Sequence, residues 1–293
     1  MSTLKNKKPR KISWQTKKLS LISIFWVLIL SAIAFIGNTS SVAETASNFS
    51  VNSLCGDINC NISTEINKDT VEQIAKQITV RIFTENKGEG SGVIIARQGQ
   101  IYTVLTCEHI LFESKDNKYN ILTADGQIHQ GERQRSPKFT NLDLALVEFT
   151  SDRIYVVSQI GNSEKINVGD IVYAAGFPNS HSINSGAIES TRNWGLKAFR
   201  FTTGNLGMVS ERSLLGGYQL GYSNDIEQGM SGGPLLDINA QLIGINGRFK
   251  NPLKGILVFT FTDGTKPSPE LFEKMKSFSW AIPIATFQKY RQH

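Results

Sequence analysis

The sequence predicts an all-β domain of antiparallel strands with a few short helices, preceded by an N-terminal hydrophobic segment. Three observations carry that expectation. Short β-type runs recur along most of the chain, separated by turns rich in Gly, Asn and Asp. Those runs do not alternate with helical patterns, so βαβ units and a parallel sheet are not expected, and a sandwich or barrel is. The 293 residues, 40% hydrophobic and 19% charged, suffice for one large domain or two small ones with real cores.

The elements follow in order. Residues 1–18 carry Lys5, Lys7, Lys8, Arg10, Lys11, Lys17 and Lys18 and no acid. Removing those seven from the 31 basic residues leaves 24 against 25 acidic ones, so the overall charge of +6 belongs to this tail. The main domain has no basic excess, and nucleic acid is not an expected partner. The tail runs into "LSLISIFWVLILSAIAFIG", residues 19–37, which has no charge, and then "SVA" ending at Ala43. That is the layout of a secretory signal peptide. The run is also just long enough to span a bilayer once, as a retained signal anchor with the lysines on the cytoplasmic side. Either reading exports the domain, to a periplasmic, extracellular or other extracytoplasmic compartment, with membrane contact only through residues 19–37. Residues 44–66 read as a linker or flexible mature N-terminus. Within them Cys55 and Cys60 are close enough to bridge a small loop, and Cys107 is then left as a buried structural thiol. Sequons at Asn38, Asn48 and Asn61 matter only if the source glycosylates.

"DTVEQIAKQ" starts a helix, with Asp69 as cap and Glu72 completing a capping box. Strand runs follow at 78–84, 91–97, 101–106, 144–150, 170–177 and 241–248. Residues 251–276 break the pattern. They hold a turn, "FTDGT", and a short helix, "SPELFEKMK", with Ser268 as cap and Pro269 in its first turn, before a last strand in "FSWAIPI".

Candidate chemistry centres on "EQGMSGGPLLD", residues 227–237. A serine hydroxyl is a poor nucleophile unless a histidine takes its proton and a carboxylate holds that histidine's tautomer. Of four histidines, His109 in "YTVLTCEHIL" ends a β-type run, where a side chain can project into a cleft. His129 and His181 lie in polar turns and read as solvated. Asp143, in "NLDLALVEF", leads directly into an apolar strand. "GMSGG" also fits the nucleophile elbow of α/β hydrolases. Those enzymes need their acid and histidine after the serine, where only the terminal His293 is available. The order His, Asp, Ser excludes them. No His/Cys cluster has metal-ligand spacing, and neither metal nor cofactor is expected.

"TCEHIL", "DLALV" and "GMSGGPLL", in that order, resemble the trypsin/chymotrypsin family of serine proteases, and its bacterial branch most closely, over roughly residues 75–290. The resemblance implies two six-stranded antiparallel β-barrels, chymotrypsin-like, at about 75–160 and 165–290 of a protease domain spanning 67–293. It implies His109 as general base, Asp143 as its orienting acid, Ser231 as nucleophile, and the amides of Gly229 and Ser231 as oxyanion hole. It implies an exported serine endopeptidase acting on a peptide or protein substrate through an acyl-enzyme. The alternative is a catalytically weak or silent relative that binds peptides or serves membrane-tethered quality control. Relatives with PDZ modules need about ninety further residues. Only 62 follow Ser231, most of them needed by the second barrel, so no PDZ module is expected.

The chain departs from the animal enzymes of the family in three ways. Met230 stands where zymogen-activated members carry an aspartate, so the site is expected to form on folding. Cys107 and Glu108 replace small residues before the histidine, and Ile110 replaces a disulfide cysteine after it. The specificity residues are also ambiguous. Asp225 matches the position that gives trypsin its preference for Arg and Lys, and Gln228 also matches, but a one-residue shift would move Asp225 out of the pocket. Ile245, Asn246 and Gly247, within "GINGR", match the strand that lines the pocket, where Arg248 could equally select acidic side chains.

Overall fold

The computed structural model describes residues 66–84, 89–111, 117–135, 139–182 and 187–291. The N-terminal hydrophobic segment, the 44–65 stretch with Cys55 and Cys60, the sequons and His293 lie outside the described residues. Among the described residues no helix is long and apolar enough to cross a membrane.

Helix α1, Lys68–Ile78, begins two residues before the start that an Asp69 cap would give. Its cap is Asn67, whose side chain accepts from the Thr70 amide at 2.8 Å. Glu72 is one turn from Lys76 and pairs with it instead of closing a capping box. Val71, Ala75 and Ile78 form the buried face.

Six strands then close the first barrel: β1 Thr79–Phe83, β2 Glu89–Gln98, β3 Ile101–Thr106, β4 Lys118–Leu122, β5 Ile128–Arg133 and β6 Ala145–Thr150. Their order around the barrel is β1-β2-β3-β6-β5-β4, all antiparallel. A four-residue helix, α2 Glu108–Leu111, leaves the end of β3. After β7, Ile171–Gly176, a small hairpin pairs β8, Ser180–Ser182, with β9, Ile188–Ser190.

The second barrel has the order β10-β11-β14-β13-β12-β7. Its other strands are β10 Arg200–Val209, β11 Leu220–Tyr222, β12 Pro234–Leu236, β13 Leu242–Arg248 and β14 Ser279–Pro283. The expected pair of six-stranded barrels is therefore what the chain forms. Strands β4, β5, β10, β11 and β12 carry too little apolar alternation, or are too short, to stand out in the sequence; Asn120, Gln130 and Asn205 interrupt three of them.

Insertion 251–276 packs on the second barrel. α3, Pro269–Lys276, is capped by the Ser268 hydroxyl as expected. Phe259, in the 3-10 turn Gly255–Phe259, meets Phe272 and the fully buried Trp280 edge-on. The Trp280 indole N–H donates to the Met275 carbonyl at 3.0 Å. A final helix, α4 Ile284–Arg291, has no strong signal in the sequence and packs Phe287 against Phe139.

β13 carries one irregularity that shapes the site. Asn246 pairs with Ala281 and Arg248 with Trp280, so Gly247 is an extra residue with no partner on β14. A bulge of this kind re-aims the backbone locally, and here it turns Gly247 toward the cleft.

Candidate active site

A cleft of about 630 Å³ is lined by Glu89, His109, Ile110, Asn179, Arg192, Gln228, Gly229, Ser231, Gly247 and Phe249. Residues of both barrels line it. The first barrel supplies His109, three residues past the end of β3, while Asp143 lies two residues before β6. These strands are neighbours, and the last pair of their ladder is Thr106–Ala145, so both side chains emerge at one end of it.

The His109 Nδ1–H donates to Asp143 Oδ2 at 2.7 Å, and the His109 backbone amide to Asp143 Oδ1 at 2.9 Å. An ionised carboxylate only accepts. Nδ1 therefore carries the proton, and Nε2 keeps its lone pair for use as a base. Burial pushes the Asp143 carboxyl up, but hydrogen bonds from the His109 ring, the Tyr218 hydroxyl and the His109 amide outweigh it and hold the group below the ordinary carboxylate range. Asp143 is thus charged at neutral pH.

Cys107 Sγ joins this pair, with ligand-type atoms of Cys107, His109 and Asp143 all within 4.8 Å. Burial raises the thiol well above its usual range, with the Asp143 charge adding to the effect. Its proton goes to the Asn246 carbonyl at 3.2 Å. A neutral, committed thiol is a poor metal ligand, so the three groups read as a hydrogen-bonded His109–Asp143 pair with a buried thiol beside it.

The second barrel supplies the serine from an irregular loop, 223–233, whose course is set by bonds to remote residues. Gly229 and Gly232 have φ of 101° and 85°, conformations that a Cβ resists. Space forbids a side chain as well: a Cβ on Gly229 would lie 2.2 Å from Asn179 Oδ1, and one on Gly232 2.1 Å from the Ser91 carbonyl. The Asn179 amide donates to the Gln228 carbonyl at 2.8 Å, and the Gly233 amide to the Met230 carbonyl at 3.1 Å. In a trans peptide the N–H points opposite to its carbonyl. These two bonds therefore turn the Gly229 and Ser231 N–H groups away from the donors that hold the adjoining carbonyls. Neither N–H has a partner among the described residues.

Two devices hold that arrangement across the barrels. Ser91, on β2, donates its amide to the Ser231 carbonyl at 2.8 Å and its hydroxyl to the Gly229 carbonyl at 2.8 Å. The same hydroxyl accepts from the Phe177 amide at 2.8 Å. The second device starts at Arg81 on β1, 2% exposed and paired with Glu89 at 2.9 Å. Arg81 donates to the Thr191 carbonyl at 2.9 Å. The Thr191 amide donates to the Asn179 carbonyl at 3.0 Å, and Asn179 in turn holds Gln228. Ser91, Arg81 and Asn179 were not singled out in the sequence. The glycine-flanked Ser91 in "GSG" was the one available signal.

Of the sequence-predicted residues, the structure brings His109, Gln228, Gly229, Ser231 and Gly247 to the cleft wall, with Asp143 directly behind His109. Ser231 Oγ donates to the Gly247 carbonyl at 3.3 Å. Ile245 and Asn246 are buried beneath the wall. The Asn246 side chain is used entirely within the fold, donating to Ala175 and Pro234 carbonyls and accepting from Tyr222. Asp225 lies outside the lining, its side chain 84% exposed and paired with Lys250 at 2.7 Å. Arg248 turns away from the cleft to hold the Val258 and Leu215 carbonyls, its guanidinium 4.3 Å from the Tyr218 ring centroid. His129 is not freely solvated, as its polar turn suggested. It stacks on Phe149 and bonds Tyr155 at 2.7 Å. His181 lies against Trp194.

The model of the trypsin-like peptidase domain matches residues 90–245, which include His109, Asp143 and Ser231. The chain belongs to that family. Members similar to this trypsin-like domain include the Do-like 14 protein of Arabidopsis thaliana, 29% identical over 172 residues, covering 55% of this chain and 35% of the relative. Serine protease Do-like HtrA of Lactococcus lactis is 27% identical over 157 residues, 54% of this chain and 36% of its own. Serine protease HTRA1 of Xenopus laevis is 28% identical over 192 residues, 61% and 37%. The chain thus spans little more than a third of the length of these curated relatives.

Proposed function

We propose that this trypsin-like chain is a serine endopeptidase, exported and acting on peptide or protein substrates outside the cytoplasm. One observation carries the reading. A base with its tautomer fixed by Asp143, a serine, and two unpartnered amides share one open cleft.

In that reading Ser231 Oγ leaves the Gly247 carbonyl and attacks the substrate carbonyl carbon while His109 Nε2 takes its proton. Asp143 stabilises the imidazolium without taking the proton. The developing oxyanion is met by the N–H groups of Gly229 and Ser231, each such donor worth about 3–4 kcal/mol in the transition state. As the tetrahedral intermediate collapses, His109 protonates the leaving amine. Water, deprotonated by His109, then attacks the acyl-enzyme and releases Ser231. The names of the Lactococcus and Xenopus relatives, both serine proteases, support the same reaction class. Export rests on the basic tail and the uncharged 19–37 run.

The second reading, a protease fold that binds peptides without turnover, has one observation for it. Among the described residues the Ser231 hydroxyl donates to Gly247, not to His109. A fluorophosphonate probe separates the two. Labelling of the full chain that is lost in both Ser231→Ala and His109→Ala is expected for the endopeptidase; a folded wild type that stays unlabelled sinks it in favour of the binding protein.

A further inference from the structure

We propose that Tyr218 is a positioning residue of the catalytic pair, a phenol built into the floor of the site to lock the Asp143 carboxylate against His109, and that Gly247 is bare to give it room. This rests on the endopeptidase reading and deepens it.

The Tyr218 hydroxyl donates to Asp143 Oδ2, the oxygen that also accepts from His109 Nδ1. Asp143 therefore accepts at one carboxylate oxygen from the histidine amide and at the other from imidazole and phenol. Without the phenol, the carboxylate retains two donors from a single residue and can swing with it. With the phenol, it gains a third donor, from a second residue whose side chain is held in the interior at 1% exposure.

The chain spends unusual backbone on this delivery. Leu214–Tyr218 is a tight turn closed by the Leu214 amide on the Tyr218 carbonyl at 3.0 Å and the Gly217 amide on the Leu214 carbonyl at 2.9 Å. Gly216 and Gly217, with φ of 87° and 94°, are consecutive left-handed residues, a conformation suited to glycine. The turn is tied to the acid itself: the Asp143 amide donates to the Gly216 carbonyl at 2.9 Å. Carboxylate and phenol are thus placed by adjoining parts of one turn.

Gly247 completes the device. Its φ lies outside the left-handed region, so its backbone would accept a side chain. Space does not: a Cβ there would lie 2.1 Å from the Tyr218 hydroxyl oxygen and 2.5 Å from the ring. The groups facing Asp143 are His109 and Cys107 from the end of β3, Tyr218 from the turn, and Arg248 from β13. Arg248 lies against the Tyr218 ring and holds the carbonyl of Leu215, in the same turn. Burial, with the neighbouring Asp143 charge adding to it, pushes the Tyr218 hydroxyl well above the usual phenol range, which keeps it a donor at neutral pH.

Tyr218→Phe keeps the ring and its packing and removes only the donor. In the full chain, hydrolysis of fluorescein-labelled casein should fall about tenfold or more in kcat with KM unchanged, a hydrogen bond to a charged group being lost away from the substrate. The low-field proton resonance of the His109 Nδ1–H should move. In an Asp143→Asn background the same substitution should cost much less, because the phenol acts through that carboxylate. An unchanged kcat and resonance in Tyr218→Phe overturns the proposal, and so does a loss undiminished in the Asp143→Asn background. Wild-type chain without Ser231-dependent hydrolysis would instead sink the endopeptidase reading, which keeps the two failures distinct.

Discussion

The two barrels place their halves of the site by different physical means. In the first barrel, His109 and Asp143 stand within three residues of paired strand ends, and the β3–β6 ladder fixes their separation. In the second, Ser231 sits in the irregular loop 223–233, where few ladder bonds are available. Its geometry is imposed by remote groups: Ser91 on β2, Asn179 after β7, and the buried Arg81 acting through Thr191. His109 and Asp143 thus inherit rigidity from a sheet. Ser231 and the amides of Gly229 and Ser231 depend on individual hydrogen bonds, several of which cross between barrels. A single substitution far from Ser231 in sequence can therefore disturb the second half, whereas the first draws on one remote side-chain bond of this kind, from Tyr218 to Asp143.

The largest expected effect lies in the first barrel. Asn at position 143 keeps the shape but offers an N–H where His109 needs an acceptor, which favours the wrong tautomer. Asp143→Asn should reduce casein hydrolysis by about 10⁴-fold, the scale of the orienting acid in enzymes of this type. Stability responds to pH with a definite sign. The Asp143 carboxyl is held below its unfolded value, so its contribution is fully present above the ordinary carboxylate range and lost as pH falls through the folded pKa. Thermal melts of wild type and Asp143→Asn should differ by a constant gap above about pH 5, and the gap should narrow below about pH 4. A gap that widens on acidification would mean that Asp143 is destabilised as an anion.

Next comes the cross-barrel support. Ser91→Ala leaves the Gly229 carbonyl and the Phe177 amide without their buried partner, at a cost of about 1–3 kcal/mol each at most. The Ser91 backbone bond to Ser231 survives. We expect about a 10- to 100-fold loss in kcat, through looser oxyanion amides, with a modest fall in melting temperature. Equal losses in fluorophosphonate labelling and in global stability at the assay temperature would instead make Ser91 a mere core residue. Asp143→Asn, by contrast, is expected to cost far more in rate, which is what the two modes of placement predict.

The same contrast explains how much of the molecule was legible in its sequence. His109 and Asp143 could be read because each adjoins a strongly apolar strand run, and the motif around Ser231 because its glycines are needed for close approach. Both barrels followed from the resemblance those motifs carry. Ser91, Arg81, Asn179 and Tyr218 were silent because each acts through a partner far along the chain, from Gln228 for Asn179 to Ser231 for Ser91, that no local pattern reports. "LLGGYQ", with two adjacent glycines before a tyrosine, was the visible trace of the turn beneath Asp143. The helix cap moved from Asp69 to Asn67 for a simpler reason: several residues of "NKDT" can cap, and packing of Val71, Ala75 and Ile78 chooses the phase.

The smallest effect should come from Asp225, and it tests the specificity half of the comparison. By alignment on Ser231 this carboxylate could sit in a pocket and select basic side chains. In the structure the loop 223–226 inserts Ile226 into the barrel core, which leaves Asp225 facing solvent against Lys250. An ion pair so exposed contributes at most about 1 kcal/mol. Asp225→Asn should therefore leave stability nearly unchanged and leave the cleavage preference across a mixed peptide library as it is in wild type. The cleft lining holds other polar and aromatic side chains, among them Glu89, Arg192, Gln228 and Phe249. If Asp225→Asn instead abolished cleavage after Lys and Arg, the loop would have to rearrange on substrate binding, turning Asp225 inward and releasing Lys250. That would make the nucleophile loop adaptable where substrate enters and fixed only where Ser91 and Asn179 grip it.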